Sequence, residues 1–365
     1  MSTIARVLAA SSVAVLCAAA SVLRAQHAPA SGPDITIDES ARAAIVDRIV
    51  KELADFYVFP DVAAKMGQAI RQRQQQHRYD AIASARTFAE TLTADLREVS
   101  HDRHLSVDYH GGSVLPAFPF PPPPPSSEQI ERMRASEAPR NFGFEKVERL
   151  AGNIGYLDLR AFMPPSMMGD TAAAAFTFVS NTDALIIDLR QNGGGSPDAV
   201  SWIASYLFDE PQRLNDIYTR PTNETRQFWT SSHVPGRKFI GKDVYILTAA
   251  RTFSAAEDFT YGLKNLKRAT IVGEVTRGGA HPVGLRRLAD HFALVVPVGR
   301  SLSPITHTDW EGTGVEPDVA APAAQALARA HLTALQKRQA NADPALRTEI
   351  TAAIARLTTE LGGKR

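Results

Sequence analysis

The residues with bond-breaking chemistry stand far apart in this chain. Ser254 lies in VYILTAARTFSAAEDFTYGLKNL (residues 244–266), where an apolar run of strand length gives way to Phe259, Leu263 and Leu266 at helical spacing. A hydroxyl at such a corner faces open space above a sheet edge and the free N–H groups of the first helical turn, which suits a nucleophile. It equally suits a plain helix N-cap, a position that serine favours. His101 and His104, in VSHDRHLSVDY (residues 99–109), each offer an imidazole that takes up and returns a proton near neutral pH. Two histidines beside Asp102 suggest zinc, but no further cluster with ligand spacing lies nearby, so no metal is expected. Gly193, Gly194 and Gly195, in DLRQNGGGSPDAV (residues 188–200), let several backbone N–H groups converge on an anion. No lysine follows at Walker spacing and there is no G-x-G-x-x-G, which leaves a bare sharp turn or an oxyanion hole. His281, in GEVTRGGAHP (residues 273–282), is a second candidate base, with a structural or substrate-contacting role preferred for it. In the polar turn 310–318, Glu311 or Glu316 has the chemistry to orient an imidazole, although a lone loop carboxylate is usually solvated.

These groups need elements to hold them. Ile45, Ile49 and Leu53, then Val62, Met66 and Ile70, then Phe88, Leu92 and Leu96 mark three helices of a small N-terminal helical domain (residues 26–112), and Pro60 with Asp61 suits the start of the second. His104 would sit at the mouth of a short strand formed by Leu105, Val107 and Tyr109. PAFPFPPPPPSS opens a stiff linker (residues 113–141), read as a boundary or covering strand. From residue 142, strand-length runs at 154–159 and 184–188 flank an alanine-rich helical stretch, 168–179. That order favours a right-handed crossover and an α/β core, residues 142–320. Further strands are expected at 244–247, 269–272 and 292–296, and C-terminal helices over 321–365.

At 365 residues with 44% apolar composition, the chain has material for two or three domains. Forty basic against thirty-nine acidic residues leave no basic footprint, which speaks against nucleic acid and anionic membrane surfaces as partners. Arg6 precedes an apolar run, 7–22, followed by small residues near Ala20 and Ala25, which fits a signal peptide over 1–25. At about sixteen residues the run is short for a spanning helix, with an uncleaved anchor as the alternative. Cys17, the only cysteine, lies inside it, so the mature protein is expected to be exported, periplasmic or secreted, and free of disulfides and thiolate chemistry.

Taken together, Asp188-Leu-Arg-x-Asn-Gly-Gly-Gly195, Thr252-Phe-Ser-Ala-Ala-Glu257, Gly273-Glu-x-Thr-x-Gly-Gly279 and Gly314-Val-x-Pro-Asp318 resemble the tail-specific, or C-terminal processing, serine peptidases. The branch resembled is the one shared with the tricorn core protease and the interphotoreceptor retinoid-binding protein, whose amino-terminal domain the helices ending in Asp102-x-His104-Leu also resemble. The resemblance implies a ClpP/crotonase-like α/β core with parallel-rich sheets and crossover helices. It makes Ser254 the nucleophile, with Ala255 and one of Gly193 or Gly194 supplying the oxyanion hole; apart from the resemblance, His281 and Arg277 in the 273–282 loop are read as possible substrate contacts. The better-known branch activates its serine with a lysine, but the matching position here is Gly279, so the tricorn-like His and Glu are expected instead, at His104 and Glu311. His101 is the alternative to His104. Residues 110–149 are too few and too proline-rich for a PDZ domain. The expected function is an exported serine endopeptidase acting on peptide or protein substrates without a cofactor. The alternative is a non-catalytic carrier of an apolar small molecule on the same fold.

Overall fold

A computed structural model describes residues 32–111, 114–340 and 342–362. The segment read as a signal peptide, Cys17 included, lies outside the described residues, none of whose helices is long and apolar enough to cross a membrane.

Helices α1 (Glu39–Phe56), α2 (Pro60–Gln75) and α3 (Ala85–Ser100) each turn one apolar face inward, burying Ile45, Ile49, Leu53, Met66, Ile70, Phe88, Leu92 and Leu96 in one cluster. Asp38 caps α1 by accepting from Ala41 N at 2.8 Å, and Ser84 caps α3 by accepting from Thr87 N at 3.0 Å. At its C-terminal end α3 stops on His101, in the left-handed conformation with φ 55°. The chain then turns through residues 102–105 into β1 (Ser106–Tyr109).

β1 joins an antiparallel sheet of order β1-β10-β9, with β9 (Val283–Ala289) and β10 (Phe292–Pro297) arriving from beyond Ser254. Phe292, Leu294 and Val296 of β10 fill the core of the helical layer. The strand that follows His104 is thereby fastened to the part of the chain that carries Ser254. Arg220 adds to this, donating to the carbonyls of Ala54 and Tyr57 at 2.9 and 2.8 Å.

The main sheet has six strands in the order β12-β8-β7-β4-β3-β2: β2 (Phe144–Leu150), β3 (Ile154–Leu159), β4 (Ala184–Asp188), β7 (Asp243–Thr248), β8 (Thr270–Gly273) and β12 (Val319–Ala320). All its pairings are parallel except β2 with β3. Parallel strands are covered on both faces, which is why β4 and β7 read as nearly unbroken apolar runs. One face packs on α5 (Pro165–Val179), α6 (Pro197–Ala204) and α7 (Ala255–Asn265), the other on α8 (Ala323–Gln339) and α9 (Pro344–Gly362). A third sheet, β11-β5-β6, joins β5 (Arg213–Thr219), β6 (Glu224–Trp229) and β11 (Gly299–Leu302).

The stretch read as a linker holds more structure than proline content suggests. It lies against the helical layer, with Phe120 edge-on to Phe56 at 5.8 Å and Arg286 Nη1 donating to Phe118 O at 2.5 Å. It then forms α4 (Ser127–Glu137), started by a capping box between Ser126 and Gln129.

Candidate active site

Ser254 stands where β7 hands over to α7, at φ 57° and ψ −123°. An ordinary N-cap is extended, whereas a non-glycine residue at positive φ is held there against strain by its surroundings. Ser254 and Glu257 stand as N-cap and N3 of α7 in the arrangement of a capping box, with Glu257 N donating to Ser254 O at 2.8 Å. Glu257 does the holding: its carboxylate accepts from Ser254 N at 2.8 Å, Gly279 N at 2.9 Å, Gly278 N at 2.6 Å and Thr276 Oγ1 at 2.5 Å. The Ser254 corner and the 276–279 loop are thus pinned to one buried carboxylate. Glu257 has no expected role in the sequence reading above, although serine followed three residues later by glutamate is a legible spacing.

His104 is buried, and its ring stacks on Phe253 at 4.4 Å between centroids. A Cβ at Gly279 would stand 2.2 Å from Phe253 Cε2 and 2.6 Å from His104 Cε1. The imidazole and its stacking partner therefore occupy the room in which any side chain at position 279 would begin, a physical reason why histidine and a lysine there exclude each other. Gly279→Ala is expected to displace the ring and lower kcat by about a hundredfold or more, since a misplacement of about 1 Å has that effect; steady-state kinetics on a quenched peptide checks it.

Of the two histidines, only His104 lines the hollow that also holds Ser254. His101 is spent on ending α3 and is exposed. His104 Nδ1 and Glu311 Oε1 are both buried without a hydrogen-bond partner. Asp102, His104 and Glu311 each present one oxygen or ring nitrogen within 4.8 Å of the others. Among the described residues this is the cluster that could hold a metal, but Asp102 already accepts from His104 N at 3.0 Å, Tyr57 Oη at 3.2 Å and His281 Nδ1 at 2.6 Å. Glu311 Oε2 accepts from Ala280 N at 2.5 Å. Glu316, the other carboxylate considered, is exposed.

The electrostatics follow from burial. Desolvation drives the His104 pKa down to about 4, so the ring is neutral at physiological pH. Desolvation and the charge of Asp102 push Glu311 up to about 7. Burial also works to raise Asp102, but the hydrogen bond and charge of His281, with the charge and backbone N–H of His104, hold it below the usual carboxylate range. For His281 burial works downward, and its bond to Asp102 with the charges of Asp102, Glu311 and Asp309 lifts it above the ordinary histidine value. His281 is thus tied into a buried ion pair while still lining the hollow. Arg277 lies outside that lining, with its guanidinium over the Phe253 ring at 4.7 Å.

In the glycine turn the two candidate donors separate. Gly194 N–H is already given to Asn192 Oδ1 at 2.8 Å, so it is not available to an oxyanion. Gly194 serves instead by close approach: at φ 105°, a Cβ there would meet Ser254 Cβ at 2.8 Å and Ala255 N at 3.0 Å. Among the described residues, Gly193 and Ala255 have no protein acceptor for their N–H groups. Buried Asn192 also donates to Leu159 O at 2.9 Å and accepts from Phe253 N at 3.2 Å, locking the turn against both β3 and the Ser254 corner.

The hollow is walled by Ile217, Ala255, Val283 and Trp310, with Asp258 also in its lining. Asp258 is 6% exposed, and burial pushes its carboxyl from 3.8 up to about 7. A folded-state value above the unfolded one means that the unfolded chain gives up the proton first, so stability is lost as pH rises from about 4 to about 7. Asp258→Asn removes that loss. Relative to its effect at pH 4, the variant is expected to gain on the order of 4 kcal/mol at pH 8, read by urea unfolding at both pH values.

Profiles of known families place this architecture. Peptidase family S41 matches residues 153–321, and the N-terminal domain of Peptidase_S41 in eukaryotic IRBP matches residues 34–136. The chain belongs to peptidase family S41, a family of serine peptidases. It is similar to the chloroplastic carboxyl-terminal-processing peptidase 1 of Arabidopsis thaliana, 28% identical over 53% of this chain and 39% of that protein. It is likewise similar to the carboxyl-terminal-processing protease of Synechocystis sp., 28% identical over 46% of this chain and 37% of that one. The matches thus span less than half the length of these relatives. Mature CPAF shares the fold, with a TM-score of 0.55 at 14% identity over 82% of this chain and 98% of that one.

Proposed function

We propose that the chain is an exported serine endopeptidase in which Ser254 is the nucleophile, His104 its general base and Glu311 the carboxylate that orients the base. One observation carries this reading: two complementary buried atoms, His104 Nδ1 and Glu311 Oε1, lie unpaired in one cluster beside the hollow that holds Ser254. A bond from Nδ1–H to Glu311 satisfies both and leaves Nε2 to accept the proton of Ser254 Oγ. The alkoxide attacks the peptide carbonyl, and the Gly193 and Ala255 amides hold the oxyanion at the positive end of α7. The imidazolium returns its proton to the departing amine. His104 then deprotonates a water, which cleaves the acyl ester and restores Ser254. These steps need no metal and no cofactor.

The substrate class is peptide or protein, in keeping with relatives named for carboxyl-terminal processing. Between β1 and β2 lie the proline-rich segment and α4 rather than a PDZ fold, so tail capture by strand addition is not part of the proposal. Export rests on the reading of residues 1–25. The test is treatment with a fluorophosphonate followed by peptide mass mapping, with cleavage of a quenched peptide library in parallel. An adduct on Ser254 together with cleavage is expected. No adduct and no cleavage, with saturable binding of an apolar molecule, would favour the carrier.

A further inference from the structure

We infer that the hollow beside Ser254 is a subsite for a basic side chain, with Asp258 as its counter-charge, so that the peptidase cleaves preferentially after lysine or arginine. This rests on the peptidase reading above and adds the substrate class. Asp258 N donates to Ser254 O at 2.9 Å, one turn into α7, and both residues line the hollow. Four residues of helix rise about 6 Å, a distance that the unbranched stem of a basic residue held at Ser254 can cover.

Asp258 also lacks a counter-charge among the described residues. Other buried carboxylates of this chain have cations: Glu52 has Arg48 and Arg286, Asp102 has His281, Asp188 has Arg190 and Asp216 has Arg213. Glu257 has its set of N–H and O–H donors instead. Asp258 has no cation among the described residues; the Asn215 side chain supplies the one hydrogen bond that favours its charged form. A carboxylate this buried is costly to ionise unless a cation arrives, and a bound ammonium or guanidinium supplies one. The apolar walls at Ile217, Ala255, Val283 and Trp310 suit the methylene stem that such a side chain buries behind its charge.

The test uses two peptidyl diphenyl phosphonates, alike except for lysine or norleucine at the position preceding the reactive phosphorus, and measures the rate of Ser254 modification. Wild type is expected to react faster with the lysine probe by about tenfold or more, and Asp258→Asn to bring the two rates together. Equal rates in wild type, or a lysine preference that survives Asp258→Asn, would overturn the subsite assignment while leaving the peptidase reading intact. Failure of folded wild type to react with either probe would overturn the peptidase reading itself, and this inference with it. The wild-type ratio decides the matter should Asp258→Asn not fold.

Discussion

Replacing Ser254 by alanine is expected to abolish peptide hydrolysis, lowering kcat/KM by about 10⁵-fold or more, with little change in stability. The size of the effect follows from the role: without the hydroxyl there is no acyl-enzyme, and only the oxyanion donors and substrate binding remain to accelerate attack by water. The stability expectation follows from geometry. The backbone is held at φ 57° through Glu257 and the Ser254 N–H, both of which survive the substitution. Alanine is no more comfortable at positive φ than serine, so the strain is unchanged. Thermal unfolding beside the kinetics separates the possibilities. Lost activity at unchanged Tm fits a nucleophile, and a large fall in Tm restores a capping role.

The second large effect is expected at Glu311. Glu311→Gln keeps the shape of the side chain but removes the charge that would stabilise the His104 imidazolium, and kcat should fall by about 10³- to 10⁴-fold with KM little altered. The pH profile carries a further signature. His104, held down to about 4, is neutral and ready to accept a proton throughout the neutral range. Glu311, pushed up to about 7, is half protonated there and gains its charge as pH rises. Wild-type kcat is therefore expected to climb through about pH 7, and this limb should be lost in Glu311→Gln. A substrate with an uncharged residue before the cleaved bond keeps Asp258 from adding its own titration. A limb near pH 7 that persists unchanged in the variant would assign it to another group.

Much of this arrangement was legible in the sequence where burial leaves a plain pattern. β3 and β4 read as apolar runs because parallel strands are covered on both faces, and α1 to α3 read as stripes because one face of each meets the core. β5 was not legible, since buried Asn215 and Asp216 interrupt its pattern, and β9 was hidden by the arginines it carries at 286 and 287. At the site, the Ser254 corner announced itself, but His101 and His104 flank the same Asp102 and are separated only by where α3 ends. The His281–Asp102 pair spans 179 positions, and no local pattern encodes it. Gly279 was visible as a missing lysine, and the structure adds the reason: the His104 and Phe253 rings already fill that space. The acid at 258 reads as a favourable charge in the first turn of a helix. Its burial without a cation is visible only in three dimensions.

The central claim is that His104, rather than His281, activates Ser254, and the most direct measurement is the rate of fluorophosphonate modification of Ser254 in His104→Ala and His281→Ala beside wild type. The account predicts a loss of about a thousandfold or more in His104→Ala and a much smaller one in His281→Ala, whose ring is committed to Asp102. Modification of His104→Ala at the wild-type rate, or its loss only in His281→Ala, would contradict it.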